Sequence, residues 1–251
     1  MTSTASHLLD YPGLPSAWMG DNVHVANYDG PVAVIGDIHG SSALLKRLLT
    51  QLGNMPIIVT GDVGDRGPNT RGVVDLLRQR GAIGVAGNHD LWLMGWAAGE
   101  GLDALALSNA MGGRSTLASY GVTPEEARDN AEAVPALHRQ WLLELHVVID
   151  LGVGTERYWI VHGGIPSDLC FEGLLLEQVV PFLAENRTAD LMWRRNPPEA
   201  MVPVGRPIIM GHQPRAEPVD LGHVICVDTG AGHNGRLTAV VLPQRRFVSV
   251  E

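Results

Sequence analysis

Asp, His and Asn residues recur along this sequence in short glycine-bracketed clusters. They are Gly36-Asp37-Ile38-His39-Gly40, Gly61-Asp62-Val63-Gly64-Asp65-Arg66-Gly67, Gly87-Asn88-His89-Asp90, His162-Gly163-Gly164 and Gly211-His212. Carboxylate, imidazole and amide oxygen are ligands for divalent first-row metals. Asp37 and His39 lie two apart, so on an extended segment both side chains point to one face and can grip one ion. Asp62 has two carboxylate oxygens and can bridge two ions. Asn88, His162 and His212 would complete the second. Two ions roughly 3.5–4 Å apart can share a hydroxide and clamp the attacking and leaving oxygens of an in-line displacement. Alone, an Asp-x-His pair or the stretch Gly211-His212-Gln213-Pro214 reads as a turn. Five clusters in one chain, each following a strand-like run, read as one hydrolytic site.

Such a site needs strands to end beside it. Pro31 to Ile35, Pro56 to Thr60 and Ala82 to Ala86 read as buried strands. Between them run amphipathic helices. The first carries Leu44, Leu45, Leu48, Leu49 and Leu52 on one face, with Ser41 or Ser42 as its cap. The second covers Val73 to Arg80, and a third covers Leu91 to Ala98. This alternation predicts parallel strands. Ligands of such sheets gather at the carboxyl ends of strands, where glycine permits tight turns and close approach. Gly99 to Gln140 is polar and helical, with a start signal at Thr123-Pro124-Glu125-Glu126, and reads as an inserted helical cap. Beyond it strands crowd together at His146–Leu151, Tyr158–Val161, Ile208–Met210, His223–Val227, Leu237–Leu242 and Phe247–Val250, which predicts antiparallel or mixed pairing. The stretch 196–207 reads as an ordered loop. The expectation is α/β: two mixed β-sheets sandwiched by helices, in a single domain spanning 1–251 with a helical cap insertion at about 99–140.

Bulk properties narrow the class. The chain has 251 residues, 45% of them hydrophobic, enough for a sizeable core. No apolar run approaches the roughly 20 residues of a membrane helix, and Met1 to Asp10 shows no basic-then-apolar leader. These readings predict a cytoplasmic protein without a membrane partner. The net charge of −9 offers no basic footprint for nucleic acid and disfavours a nuclease. Bound cations would supply the positive charge that an anionic substrate requires. Cys170 and Cys226 have no metal-type spacing and read as buried thiols.

At these motifs the chain resembles the calcineurin-like metallophosphoesterases, in the branch that holds protein serine/threonine phosphatases and bacterial symmetrical diadenosine tetraphosphate hydrolases. The resemblance runs from about Val32 to Val241. It implies an αββα sandwich with a dinuclear site at its edge. It implies Asp37 and His39 as ligands of the first metal, Asp62 as the bridge, and Asn88, His162 and His212 as ligands of the second. The two divalent ions are expected to be manganese first, with iron, zinc, cobalt or nickel as alternatives. His89 matches the residue that protonates the leaving group, and Asp65 its carboxylate partner. Arg66 matches a phosphate-binding arginine. A second follows a Leu-x-Trp element, here Leu191-Met192-Trp193-Arg194-Arg195, with Arg195 favoured by register and Arg194 as the fallback. His233 stands where relatives often carry an aromatic next to an Asp-Thr-Gly segment, and substrate contact there is left open. His7, His24, His138, His146 and His223 match nothing and read as ordinary surface or core histidines.

The resemblance bears on substrate in two directions. Asp90, where protein phosphatases usually carry Glu, and Arg66-Gly67-Pro68 look like the dinucleotide hydrolases. Asp65 is a residue that many of those hydrolases lack and protein phosphatases keep. The reading preferred from sequence is symmetrical cleavage of diadenosine tetraphosphate to two ADP. Its alternatives are a serine/threonine phosphoprotein phosphatase and, in another class, a non-catalytic phosphate-binding scaffold. Trp92, Trp96 and Trp141 are weighed as adenine-stacking groups against a plain core role.

Overall fold

A computed structural model describes residues 13–165 and 173–251. The chain runs through β1 (Val23–Tyr28), β2 (Val32–Ile35), α1 (Ser42–Leu52), β3 (Ile57–Val59), α2 (Thr70–Gln79), β4 (Ile83–Gly84) and α3 (Asn88–Ala98). A helical stretch follows, with α4 (Gly113–Ser119), α5 (Pro124–Ala127) and α6 (Ala136–Leu143). Then come β5 (Val148–Val153), β6 (Glu156–Ile160), α7 (Leu176–Asn186), α8 (Thr188–Trp193), β7 (Ile208–Met210), β8 (Val219–Asp220), β9 (Val224–Cys226), β10 (Leu237–Leu242) and β11 (Arg246–Val250).

The strands form two sheets. One has the order β11-β10-β2-β3-β4, the other β1-β5-β6-β7-β9-β8. In the first, β2, β3 and β4 pair in parallel, and β10 is antiparallel to both β2 and β11. In the second, β6, β7 and β9 run parallel, while β5 and β8 pair antiparallel with their neighbours β6 and β9. Both sheets are therefore mixed, as expected.

Side-chain alternation explains why the sheets stack. Val32 and Val34 of β2 face Ile149, Ile160, Ile209 and Ile225 of the other sheet in a core between the two. Ala33 and Ile35 point the opposite way, into the core with Leu45, Leu48 and Leu52 of α1. A strand covered on both faces must be apolar at every position, and all four β2 residues are buried. The helices of 99–143 pack on α2 and α3. The Thr123 capping box forms, but α5 stops after four residues.

β1, β8 and α7 are elements that the sequence pattern did not reveal. β1 is an edge strand with a single buried residue, so it lacks a hydrophobic period. β8 has two residues. α7 carries Pro181 inside it, a residue that reads as a helix breaker. Ser41 is the residue preceding α1, but its side chain makes no capping bond. Cys226 is buried, and burial pushes its thiol up to about 12. Cys170 and His7 lie outside the described residues. No described helix is long and apolar enough to cross a membrane.

Candidate metal centre

The ends of β2, β3 and β4 in one sheet meet the ends of β6 and β7 in the other. Asp37 and His39 follow β2, Asp62 follows β3, Asn88 opens α3 just past β4, His162 follows β6, and His212 follows β7. All six are buried, at 1–4% exposure.

Asp62 stands at the centre. Its Oδ2 lies 3.6 Å from His39 Nε2, and its Oδ1 lies 3.4 Å from His162 Nε2. Each carboxylate oxygen therefore faces a different imidazole, the arrangement that a bridging ligand requires. Asp37 joins the same space through the backbone: its Oδ2 accepts the His212 N–H at 2.9 Å. The approach is close enough to demand glycine. A Cβ on Gly211 would sit 1.9 Å from Asp37 Oδ1, and one on Gly87 would sit 2.1 Å from Asp62 Oδ1. The turns are strained as well. His39, Asp62, Asp65, Arg66 and His212 all have φ between 45° and 72°. Such conformations cost roughly 1–3 kcal/mol each for non-glycine residues and cluster at functional sites.

Hydrogen bonding decides which atoms are offered to a ligand. His39 Nδ1 lies 2.8 Å from Gly64 O, and His162 Nδ1 lies 2.8 Å from Thr60 O. A carbonyl cannot donate, so each Nδ1 carries the proton and each Nε2 presents a lone pair. His162 Nε2 then faces Asn88 Oδ1 at 3.1 Å and Asp62 Oδ1 at 3.4 Å. Three acceptors converge with no proton among them. His212 Nε2 is buried and has no hydrogen-bond partner among the described residues. This donor set fits divalent cations, and each imidazole whose Nδ1 is tied to a carbonyl has the outer hydrogen bond typical of metal-ligating histidine.

Burial and charge tell the same story. Burial holds His39 and His212 down to about 3 and also lowers His162, so these rings are neutral and ready to ligate. Burial, then the charges of Asp228 and Asp62, raises Asp37 well above the usual carboxylate range. Asp228 is pushed to about 6, chiefly by burial, and its charge acts on Asp37. Burial also works against ionisation of Asp62, but His162, His89, His39 and His212 outweigh it and hold this carboxyl low. Several buried carboxyls that resist ionising together gain most from a cation between them.

Beside this cluster lies a different histidine. His89 Nδ1 is 2.7 Å from Asp65 Oδ2, and Asp65 is fully buried. Burial alone would lower His89, but Asp62 and Asp65 raise it. Arg66 reaches over both rings, with one guanidinium nitrogen 2.5 Å from His39 Nε2 and the other 3.0 Å from His89 Nε2. Arg195 is exposed, and its charge lowers His162, His212 and His233. Arg194 instead directs its Nε to Asp190 at 2.6 Å. His233 is exposed, and after burial the charges of Arg66, Arg195 and His89 depress it.

Several participants escaped the sequence reading. Asp228 abuts Asp37 from the Asp228-Thr229-Gly230 turn. The Asp90 carboxylate accepts the backbone N–H groups of Asp62, Val63 and Gly87. Thr116 and Trp92 donate to Asp65. An acid just past the end of a strand and ahead of a glycine turn was a signal for Asp228; nothing local marks Thr116. The tryptophans resolve towards structure. Trp92 and Trp96 are 2% and 1% exposed, and Trp141 donates to Ala82 O. His138 is likewise a core residue, bridging Tyr120 and Asp75.

Comparison with known proteins gives a consistent picture. The calcineurin-like phosphoesterase family pattern matches residues 30–235. A bis(5'-nucleosyl)-tetraphosphatase PrpE (asymmetrical) of Oceanobacillus iheyensis is 26% identical over 249 residues, covering 87% of this chain and 91% of that protein. Its namesake in Anoxybacillus flavithermus is 28% identical over 246 residues, covering 86% and 92%. A crystal structure provisionally named a diadenosine tetraphosphatase superposes with a TM-score of 0.60 at 22% identity, over 92% of this chain and 97% of the other. A protein serine/threonine phosphatase from Saccharomyces cerevisiae does so at 0.54 and 17%, over 92% and 84%. At such identities the two structures share the fold.

Proposed function

Because this chain belongs to the calcineurin-like phosphoesterase family, we propose that it hydrolyses the phosphoanhydride of a dinucleoside tetraphosphate. Asp37, His39, Asp62, Asn88, His162 and His212 hold two divalent cations, manganese being the first to test. Bound there, the cations would lower the pKa of water and polarise phosphoryl oxygens. The observation that carries this reading is the Asp62 carboxylate set between His39 and His162.

The remaining steps belong to side chains. Arg66 and Arg195 bind non-bridging phosphate oxygens, for which a guanidinium fork is suited. A guanidinium only donates, so the contact of Arg66 with His89 Nε2 requires a lone pair on that nitrogen. When Arg66 shifts its hydrogen bonds to phosphate, His89 Nε2 is free to carry a proton. His89 then passes that proton to the leaving phosphate oxygen, with Asp65 holding the ring and favouring its charged form. His233 sits at the rim as a substrate contact. The helical insertion of 99–140 shapes one side of the cleft. A cytoplasmic location goes with this reading.

The position of cleavage separates two versions. The symmetrical split to two ADP rests on Asp90 and on Arg66-Gly67-Pro68. Asp90, however, is fully buried and accepts three backbone N–H groups, so it makes no contact that a substrate could read. The relatives named as asymmetrical enzymes support cleavage to ATP and AMP. A serine/threonine phosphatase activity is favoured by one observation, the intact Asp65–His89 pair. Purified protein with manganese should turn over diadenosine tetraphosphate with a higher kcat/KM than a phosphoserine or phosphothreonine peptide. Chromatography of the products distinguishes two ADP from ATP plus AMP. A peptide rate far above the dinucleotide rate overturns the proposed substrate. A chain that binds dinucleotide without turning it over would be a scaffold.

A further inference from the structure

We propose that Thr116, carried by α4 of the inserted segment, is a positioning residue that holds the Asp65–His89 pair in its proton-donating geometry. The insertion would then brace the site from behind in addition to any contact with substrate. The inference rests on the proposed role of His89 as the proton donor.

The hydrogen bonds around Asp65 form a closed set. Its Oδ2 accepts from His89 Nδ1 at 2.7 Å and from Trp92 Nε1 at 3.0 Å. Its Oδ1 accepts from Thr116 Oγ1 at 2.8 Å. Its own N–H donates back to the same hydroxyl at 2.8 Å. A hydroxyl has one proton and two lone pairs. The Thr116 proton goes to Asp65, so Thr70 Oγ1, 2.9 Å away, must donate into the remaining lone pair. Asp65, Thr70 and Thr116 are all fully buried, which shields these bonds from bulk solvent.

The same segment also holds the next residue. Arg66 N–H donates to Gly112 O at 3.2 Å, and its guanidinium to Ala110 O at 3.4 Å. Asp65 and Arg66 are consecutive non-glycine residues with φ of 72° and 60°. A turn this unfavourable persists only where its surroundings over-determine it. Residues 110–116 supply bonds to both members of the turn, from a stretch 44 to 51 positions away in sequence. Without the Thr116 hydroxyl, the Asp65 carboxylate keeps two donors but loses the bond that sets its rotation, and with it the direction of the His89 ring.

The test compares the manganese-loaded full chain with Thr116→Val. Phenyl phosphate has a poor leaving group that needs protonation; 2,4-dinitrophenyl phosphate does not. In Thr116→Val, kcat on phenyl phosphate should fall by about 10²-fold, the low end of a general-acid contribution, while kcat on the dinitrophenyl ester falls by less than about 3-fold. Thr116→Ser should restore the phenyl phosphate rate, and Trp92→Phe should show the same selective loss. Independently of turnover, the deshielded Nδ1 proton of His89 in the NMR spectrum of the chain loaded with diamagnetic magnesium should move upfield in Thr116→Val. Equal losses on both esters, no loss on either, or failure of Thr116→Ser to restore the rate would overturn the proposal. If Thr116→Val does not fold, an unselective effect of Trp92→Phe does so. A wild-type chain inactive on every phosphate ester and dinucleotide would remove the functional reading, while the NMR shift would still report whether Thr116 braces the pair.

Discussion

Two places among the described residues gather histidines around an aspartate, and they differ in what surrounds the rings. At the proposed metal centre, His39 and His162 each donate Nδ1–H to a backbone carbonyl, so their Nε2 lone pairs face the two oxygens of Asp62, with an Arg66 guanidinium nitrogen also 2.5 Å from His39 Nε2. The His162 and His212 rings meet at 61°, with centroids 4.8 Å apart. On the flank, Asp21, His24 and His146 lie equally near one another. There the rings of His24 and His146 stack at 3.9 Å and 8°. Lone pairs of stacked rings lie in parallel planes and do not meet at one point. His146 Nδ1 already accepts the Asp21 N–H at 3.0 Å, and the Asp21 side chain is 57% exposed. Residue type and proximity are common to both places. What distinguishes the centre is that outer carbonyl partners aim the Nε2 lone pairs of His39 and His162 at the two oxygens of one buried carboxylate.

Removal of cations is the hardest test of this contrast. Chelation followed by desalting should abolish turnover, and manganese should restore it. Retained activity would show that the converging lone pairs do not serve the reaction. Next in size is Asp62→Asn, expected to lower kcat/KM by on the order of 10²–10³-fold, as for loss of one preorganised charge. Elemental analysis should show reduced metal in the same variant while circular dichroism stays unchanged. His89→Ala should cost about 10²-fold or more on poor leaving groups with metal content intact, which would separate the ligating histidines from the proton donor.

The flank should answer to pH instead. Burial, then His24, pushes His146 from 6.5 down to about 4 in the folded chain, although Asp21 opposes the shift. The unfolded chain binds the proton more readily, so the contribution of His146 to stability is full above about 6.5 and is lost as pH falls towards about 4. In His146→Gln the decline of Tm across that window should be shallower than in the wild type. An identical decline would mean that this histidine does not titrate on unfolding. The smallest effect belongs to His24→Ala, which should leave kcat/KM and metal stoichiometry unchanged. Loss of one metal equivalent in that variant would erase the distinction between the two clusters.

How much was legible beforehand follows from the reach of the interactions. The repeating βα rhythm from Val32 to Ala98 could be read because each element advertises its burial through local periodicity. β1 could not, since an edge strand with one buried residue has no such period. Asp37, His39, Asp62 and Asn88 come from adjacent strand ends within 52 residues of chain, and each motif carries its own glycine. His162 and His212 were found the same way. Arg195 was separated from Arg194 only by register; in the structure Arg194 Nε donates to Asp190 one helical turn back.

The sequence by itself therefore determined the donor types, their order along the chain and the strands that end beside them, because backbone periodicity and ligand chemistry are local properties. Only the tertiary structure decided which imidazole nitrogen carries the lone pair, that the Asp90 carboxylate is taken up by backbone amides, and that Thr116 of the inserted segment reaches Asp65. Those outcomes depend on hydrogen bonds between segments tens of residues apart. No local pattern records such bonds, since they exist only once burial has excluded water and left each polar group to find its partner within the protein.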